Sequence, residues 1–352
     1  MRTVVVRASR TYDVLIEAGI LDRSGELLRQ VSRSDTAVIV SGEKVYPLYG
    51  QRLKDSLEKA GFRVVSFLHP SGEEHKTLET YAELLSFMAR EHVTRSDLMI
   101  ALGGGVTGDL CGFAAATYLR GIDFAQIPTT LLAMVDSSVG GKTAVDLPEG
   151  KNLVGAFYQP IRVLCDPETL ETLPEEQFVC GCAEVIKYGV LGNEAFFDSL
   201  VERPVRSQLE TVIQTCVEMK RDIVLEDEFD RGRRQLLNLG HSIGHAVEAC
   251  SSFSILHGQA VAIGMAMITR ASYAKGICEE ATLRRLLSVL QQYGLPCKTD
   301  LPASTLLKSM AGDKKRSGDR MNLIVPEAIG RCRIERVPIS SLQQWLLSGG
   351  AK

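Results

Sequence analysis

The sequence predicts an α/β domain built on a parallel sheet, followed by an α-helical domain. Three observations carry that prediction. Up to about residue 167, short β-rich runs alternate with helical stretches, as in a parallel sheet covered by helices. One of those runs, Leu98–Leu102, enters a glycine-rich turn that opens a helix. Beyond Pro167 the β-rich runs nearly vanish and the helical period dominates. The expected boundary is therefore at 167, with 1–167 as a nucleotide-type domain and 168–352 as a helical one. The natural place for a site is the cleft between two such domains. A length of 352 residues also favours two domains over one.

Taken in order, Val4–Arg7 and Tyr12–Glu17 read as a strand pair. Ala37–Ser41, Arg63–Leu68, Leu98–Leu102, Phe124–Pro128 and Arg162–Asp166 read as further strands. Helical spacing of apolar residues falls at 46–60, 77–92 and 108–117. It returns at 175–190, 205–224, 232–250, 258–275, 279–292 and 303–311. No internal repeat interrupts this order.

Composition narrows the class. Hydrophobic residues make up 45% and charged residues 24%, as in a globular protein without low-complexity tracts. The net charge of −3, with acids and bases interspersed, argues against a nucleic-acid or membrane surface. Nine cysteines are scattered without a C-x-x-C, so neither a zinc ribbon nor a disulfide framework is suggested. The N-terminus lacks a signal-peptide core, and no apolar run nears the ~18 residues of a spanning helix. A cytoplasmic protein is expected.

Two stretches suggest phosphate chemistry. Gly103-Gly-Gly-Val-Thr-Gly108-Asp109 contains G-x-G-x-x-G between a strand and a helix, the Rossmann-like setting for dinucleotide binding. Glycines there let the backbone approach a pyrophosphate at a helix N-terminus. The usual ribose acid has no counterpart after a second strand, but the turn Pro70-Ser-Gly-Glu-Glu-His-Lys76 offers a carboxylate and a lysine. Asp136-Ser-Ser-Val-Gly-Gly-Lys-Thr143 narrowly misses the P-loop pattern, because Asp136 stands where the first glycine belongs. Lys142, with Lys151-Asn152, still suggests anion recognition; the plain alternative for these lysines is surface solvation.

The stretch from Arg233 to Glu248 is expected to form one helix. Arg234, Asn238, His241 and His245 are spaced by four, three and four residues, which places them within roughly 60° of arc. Glu248 widens the arc slightly, and Leu236, Leu239, Ile243, Val247 and Cys250 lie opposite. A solvated face is the ordinary reading of such a stripe. Two imidazoles at i, i+4 beside an amide and a guanidinium instead suggest a reaction site that binds metal. The Glu of H-E-x-x-H is missing, which disfavours a peptidase. His257 opens the next helix after a short connection, and Glu184 lies on an otherwise apolar helix face with Lys187 one turn away. A carboxylate in such company needs a partner, and a metal would serve. Spacing does not decide which two of the three histidines would ligate.

Several motifs together resemble the 3-dehydroquinate synthase family. They are Ala116-Thr-Tyr-Leu-Arg-Gly121, Ile127–Thr143, Gly150-Lys-Asn-Leu-Val-Gly-Ala-Phe-Tyr-Gln-Pro160, Ala183-Glu-Val-Ile-Lys-Tyr-Gly189, Leu237-Asn-Leu-Gly-His-Ser-Ile-Gly-His245 and Gly312-Asp-Lys-Lys315. They span most of the chain. The resemblance implies NAD bound by Ser71, Gly72, Glu73, Glu74, His75, Lys76, Gly105, Val106, Thr107, Gly108, Asp109, Thr129, Thr130, Lys142, Lys151, Thr169, Leu170, Glu171 and Thr172. It implies zinc, or cobalt, held by Glu184, His241 and His257, with His245 left for substrate. Lys142, Asn152 and Arg120 would hold a substrate phosphate, Arg120 across a homodimer interface. Lys220 and Arg234 would clamp a carboxylate, and Asn238 and Lys314 would meet hydroxyls and ring. Lys187 is counted with the catalytic residues. Asp230 and Met134 depart from the family's usual Glu and Gln.

The implied reaction turns 3-deoxy-D-arabino-heptulosonate 7-phosphate into 3-dehydroquinate and phosphate, as in the shikimate route to aromatic amino acids. Its steps are transient oxidation by NAD, phosphate β-elimination, reduction, ring opening and aldol closure. The alternatives are a metal-dependent polyol dehydrogenase, another sugar phosphate cyclase (2-deoxy-scyllo-inosose or valiolone type), and a nucleotide-sensing module. The cluster Lys142, Asn152, Lys220, Arg234 and Lys314 disfavours the first. A carboxylate clamp disfavours the second, and His241 with His257 the third.

Overall fold

A computed structural model describes residues 1–251, 254–311, 316–317 and 319–352. The chain runs β1 (Arg2–Arg7), β2 (Thr11–Ile16), α1 (Ser24–Arg29), β3 (Thr36–Gly42), α2 (Tyr46–Lys59), β4 (Arg63–His69), α3 (Leu78–Arg90), β5 (Leu98–Gly103), α4 (Gly105–Thr117), β6 (Asp123–Pro128), β7 (Lys142–Leu147), β8 (Gly150–Phe157) and β9 (Arg162–Cys165). It continues with α5 (Glu175–Gly192), α6 (Glu194–Glu202), α7 (Leu209–Glu226), α8 (His241–Cys250), α9 (His257–Ala274), α10 (Glu280–Gln292), α11 (Ala303–Ala311), β10 (Arg316–Ser317), β11 (Arg320–Ala328), β12 (Arg331–Pro338) and α12 (Leu342–Ser348). These elements form two compact units, Met1–Pro174 with Leu209–Phe229, and Glu175–Gln208 with Asp230–Lys352.

The first unit is the α/β domain. Its seven-stranded sheet has the order β1-β2-β9-β6-β5-β3-β4, parallel except for the antiparallel β1–β2 pair. Every residue of β3 and β5 is buried, because helices cover both faces of a parallel sheet. Ile39, Ile100 and Leu102 pack with Leu53 and Leu57 of α2, while Val38, Val40 and Met99 pack with Leu84 of α3 and Leu110 of α4. β4 lies on one side of β3 and β5 on the other, so strand order reverses there. Ligands favour the C-terminal strand ends at such a switch point. The β7–β8 hairpin, read from sequence only as an anion-binding stretch, forms a separate two-stranded sheet. α7 belongs to this unit although it lies well beyond 167. Its Val212, Ile213, Cys216 and Val217 are buried, and Arg2 of β1 reaches Glu210 and Gln214.

The second unit is helical. α9 has buried residues around its whole circumference, as a core helix must, and packs against α5, α8, α10 and α12. α6, absent from the sequence reading, is capped by the Asn193 side chain accepting from Phe196 N at 2.9 Å. A small antiparallel sheet, β10-β11-β12, is added to the helices.

One correction concerns the single helix expected over 232–250. The structure divides it into a 3₁₀ turn, Arg233–Asn238, and α8. Gly240 separates them at φ +78°, and a Cβ there would lie 2.6 Å from Val261 O. Only glycine meets both conditions, so the helical arc does not continue from Asn238 to His241.

Candidate active site

The expected residues fall into two groups, one in each unit. In the second unit, three helices bring Glu184 (α5), His241 (α8) and His257 (α9) together. Glu184 Oε1 lies 3.2 Å from His257 Nε2 and 3.4 Å from His241 Nε2. One donor atom from each residue lies within 4.8 Å of the other two. Glycines make this convergence possible. A Cβ at Gly258 would sit 2.2 Å from Cys180 O, and one at Gly264 would sit 1.9 Å from Gly240 O. α9 therefore touches the backbones of α5 and α8 directly, beside the residues that carry the donors.

Charge in this cluster is tightly balanced. Glu184 and Lys187 are each 1% exposed and pair at 2.5 Å, one helical turn apart. Burial works to raise the Glu184 carboxyl, but Lys187 and His241 hold it well below the usual carboxylate range. Burial pushes the His241 imidazole down. Burial also opposes charge on His257, yet hydrogen bonds to Glu184 and Glu248 outweigh it and raise that ring to about 10. The cluster thus draws a proton into a place where a metal ion would bring two charges. Exposed His245, i+4 from His241, lies with its ring centroid 5.5 Å from His241 and 6.1 Å from His257. A second set, His245, Glu248 and His257, has equally close donor atoms.

Arg234 is 1% exposed, a burial that a guanidinium sustains only with polar or anionic company. Asn238 donates through Nδ2 to Gln235 O at 3.1 Å, and Asn322 of β11 donates to Gln235 Oε1 at 2.8 Å. The 3₁₀ turn is thereby pinned to the small sheet. Asp230, at φ +58°, lies just before that turn. Lys314 lies outside the described residues.

In the first unit, the loops after β4 and β5 sit at the C-terminal edge of the sheet, as expected of Ser71–Lys76 and Gly105–Asp109. His69 Nε2, at the end of β4, lies 3.0 Å from Thr107 Oγ1 in the first turn of α4 and ties the two edges together. A Cβ at Gly103 would lie 2.5 Å from Thr107 Oγ1, so the turn into α4 requires glycine. Lys76, 4% exposed, is the hub of this edge. Its Nζ lies 3.1 Å from Glu73, 3.2 Å from Asp109 and 3.6 Å from Asp146, and donates to Asn152 Oδ1 at 2.7 Å. Burial acts to lower Lys76, but those three carboxylates raise it overall. Burial pushes the Asp109 carboxyl up to about 6 even though Lys76 opposes it. Asn152 takes φ +54°, and its N–H donates to Asp146 Oδ1 at 2.7 Å. Lys151 Nζ lies 3.6 Å from Glu73.

Other expected residues are placed as follows. Thr129 is buried, and Thr130 accepts from Ala133 N at 3.2 Å. Thr169–Thr172 lie in the 3₁₀ turn Pro167–Thr172, where Tyr49 of α2 donates to Thr169 O at 3.0 Å. Lys142 is exposed at the start of β7. Arg120 is exposed at φ +70°, next to Leu119 at φ +50°, a strained pair of the kind found at functional turns. Lys220 donates to Asp136 O at 2.7 Å and pairs with the Asp136 carboxylate. Asp136, which spoils the P-loop pattern, is therefore a partner for that lysine. Met134 is fully buried. Sequence reasoning missed the Lys220–Asp136 pair, the role of Glu248 and the glycine contacts; only the density of glycines near the histidines hinted at the last.

Residues 66–180 match the family described as 3-dehydroquinate synthase N-terminal, and residues 181–316 match 3-dehydroquinate synthase C-terminal. A Streptococcus suis protein named 3-dehydroquinate synthase is 40% identical over 354 residues, covering 98% of this chain and 99% of the relative. Among solved structures, 2-deoxy-scyllo-inosose synthase complexed with carbaglucose-6-phosphate, NAD+ and Co2+ matches with a TM-score of 0.88. It is 26% identical, and the match covers 98% of this chain and 99% of that one. ValA, the 2-epi-5-epi-valiolone synthase of Streptomyces hygroscopicus with NAD+ and Zn2+ bound, matches with a TM-score of 0.87 and 27% identity over 99% of both chains.

Proposed function

The chain belongs to the 3-dehydroquinate synthase family, and on that premise we propose that it converts 3-deoxy-D-arabino-heptulosonate 7-phosphate to 3-dehydroquinate and phosphate, using NAD and a divalent metal. The observation that carries this reading is the meeting of Glu184, His241 and His257. One carboxylate and two imidazole nitrogens suit zinc or cobalt, and three protein donors with positions left open suit a catalytic rather than a structural ion. Bound there, the metal would supply Lewis acidity at a substrate hydroxyl, and bound NAD+ would supply a hydride acceptor that is regenerated within each turnover. NAD would be held by Ser71–Lys76, Gly105–Asp109, Thr129, Thr130, Lys142, Lys151 and Thr169–Thr172.

The protein's own part is binding and orientation. Lys142, Asn152 and Arg120 would bind the substrate phosphate, and Lys76 sets the orientation of the Asn152 amide by donating to its Oδ1. Lys220 and Arg234 would hold the carboxylate. Asp136 keeps the Lys220 ammonium in place, and Lys187 keeps Glu184 ionised for the metal. His245, exposed on α8 beside the cluster, would meet the substrate, as would Asn238 and Lys314. We also place the protein in the cytoplasm and assign it a homodimer. Among the described residues no helix is long and apolar enough to cross a membrane.

The test is phosphate release from the heptulosonate phosphate, followed together with absorbance at 340 nm. Phosphate should be released without net NADH. Stoichiometric NADH would instead identify a dehydrogenase. The similarity to two other cyclases supports a second reading. Release from glucose 6-phosphate or sedoheptulose 7-phosphate, but not from the heptulosonate, would establish it.

A further inference from the structure

We infer that Glu248 is a positioning residue: its carboxylate accepts the Nδ1–H of His257 and so turns Nε2 of that ring toward Glu184. The inference rests on the reading that Glu184, His241 and His257 hold a divalent ion, and it adds a residue that the proposed reaction leaves unused. Glu248 belongs to the polar stripe of α8 but is only 3% exposed, so it is not part of a solvated face. Its Oε2 lies 3.3 Å from His257 Nδ1, while Nε2 of the same ring lies 3.2 Å from Glu184 Oε1. A buried carboxylate needs such a donor. The donor in turn loses the freedom to rotate or change tautomer.

His241 shows the same arrangement built from backbone. Its Nδ1 lies 3.1 Å from Leu239 O, and a carbonyl only accepts, so Nδ1 carries the proton. The lone pair of His241 is therefore on Nε2, the atom 3.4 Å from Glu184 Oε1. Leu239 precedes Gly240, whose left-handed conformation ends the 3₁₀ turn and lets that carbonyl approach the ring. For His257, which opens α9, the Nδ1 partner among the described residues is a side chain on the neighbouring helix, the Glu248 carboxylate. Both rings then present Nε2 to one point. A ligand imidazole oriented by an outer carboxylate is more basic and better placed, and loss of such a partner weakens metal binding roughly 10–100-fold. The competing use of the same residues is a second cation held by His245, Glu248 and His257. The two uses exclude each other at His257, because Nδ1 cannot both donate a proton to Glu248 and offer a lone pair to a metal.

The experiment is zinc titration of the full-length protein against a chromogenic chelator, with wild type, Glu248→Gln and Glu248→Ala. Glu248→Ala should bind zinc roughly 10–100-fold more weakly. Glu248→Gln should recover most of that loss, since an amide oxygen accepts the same N–H. Imidazole ¹⁵N shifts of zinc-loaded wild type read the tautomer without any substitution, and should show His257 with Nδ1 protonated and Nε2 on the metal. Unchanged affinity in Glu248→Ala, coordination through Nδ1, or a second equivalent of zinc on wild type would overturn the assignment. Equal losses in the Gln and Ala variants would also overturn it. Wild type that binds no zinc would instead overturn the metal reading itself.

Discussion

Replacing Gly264 with alanine should loosen the cluster of Glu184, His241 and His257 without touching any of its donors. The added Cβ would lie 1.9 Å from Gly240 O, 2.8 Å from Gly240 C and 3.0 Å from Gly244 N, whereas ordinary contact begins at 3.4 Å. All three obstacles are backbone, so no side chain can swing aside, and α9 must move from α8 by about 1.5 Å. Overpacking of this kind costs about 1–3 kcal/mol, and the lack of any yielding partner puts Gly264→Ala near the upper end. For a unit of this size that lowers the melting temperature by roughly 6–12 °C. The same shift separates His257 from His241, whose Nε2 atoms now lie 3.2 Å and 3.4 Å from one carboxylate oxygen. Metal–ligand distances tolerate only about 0.2 Å, so zinc affinity should fall as well. Thermal melts of metal-free protein and a zinc titration measure the two effects separately. Gly276→Ala is the control. Nothing lies within 4 Å of its Cβ, and φ is +69°, so it should lose about 1–2 kcal/mol from backbone strain and keep its zinc affinity. A Gly264→Ala protein that melts and binds zinc like wild type would refute the view that helix contact positions the ligands.

Further predictions follow from the same contacts. His257→Ala should lose bound metal by elemental analysis, while His245→Ala should keep metal and lose turnover; exchanged behaviour would reassign the ligands. Lys187→Met leaves Glu184 buried without its cation, a loss of about 3–5 kcal/mol. Because Glu184 is held below its ordinary range, its contribution is present at neutral pH and lost as pH falls through that low value. Lys187→Met should move the loss to higher pH in an acid titration of melting temperature. Asp109 has the opposite sign: its carboxyl is raised to about 6, so its contribution is full below the ordinary Asp range, falls above about pH 4 and is lost as pH rises through 6. Asp109→Asn should therefore gain in melting temperature relative to wild type between pH 5 and pH 8; an equal difference at both pH values would show that burial does not raise this carboxyl.

Much of the fold could be read in advance because its signals are local. The continuous apolar runs of β3 and β5 report strands covered on both faces, and the glycines after β5 report a close turn into α4. The i, i+4 histidines were also readable, since both lie within α8. The stripe from Arg234 to His245 was not one helix face, because Gly240 breaks the helix and Arg234 and Asn238 belong to a 3₁₀ turn. Periodicity alone does not show whether a glycine continues a helix or ends it. α7 was readable as a helix but not as part of the first unit, because its partners there, Arg2 among them, lie far away along the chain. The Lys220–Asp136 pair was hidden for the same reason.

The α/β-then-helical plan, the glycine turn and the residue types from which a metal and phosphate site can be made are all legible along the chain. Each is written in spacing along the chain, where a residue's neighbours are known. It takes the folded chain to bring Glu184, His241 and His257 together, to set Glu248 behind His257, and to gather Glu73, Asp109, Asp146 and Asn152 around Lys76. The meeting at Glu184 depends on how closely the backbone of α9 packs on α5 and α8, which the absence of a Cβ at Gly258 and Gly264 sets and no local period reports; the Lys76 cluster joins residues up to 76 positions apart, beyond the reach of any local period.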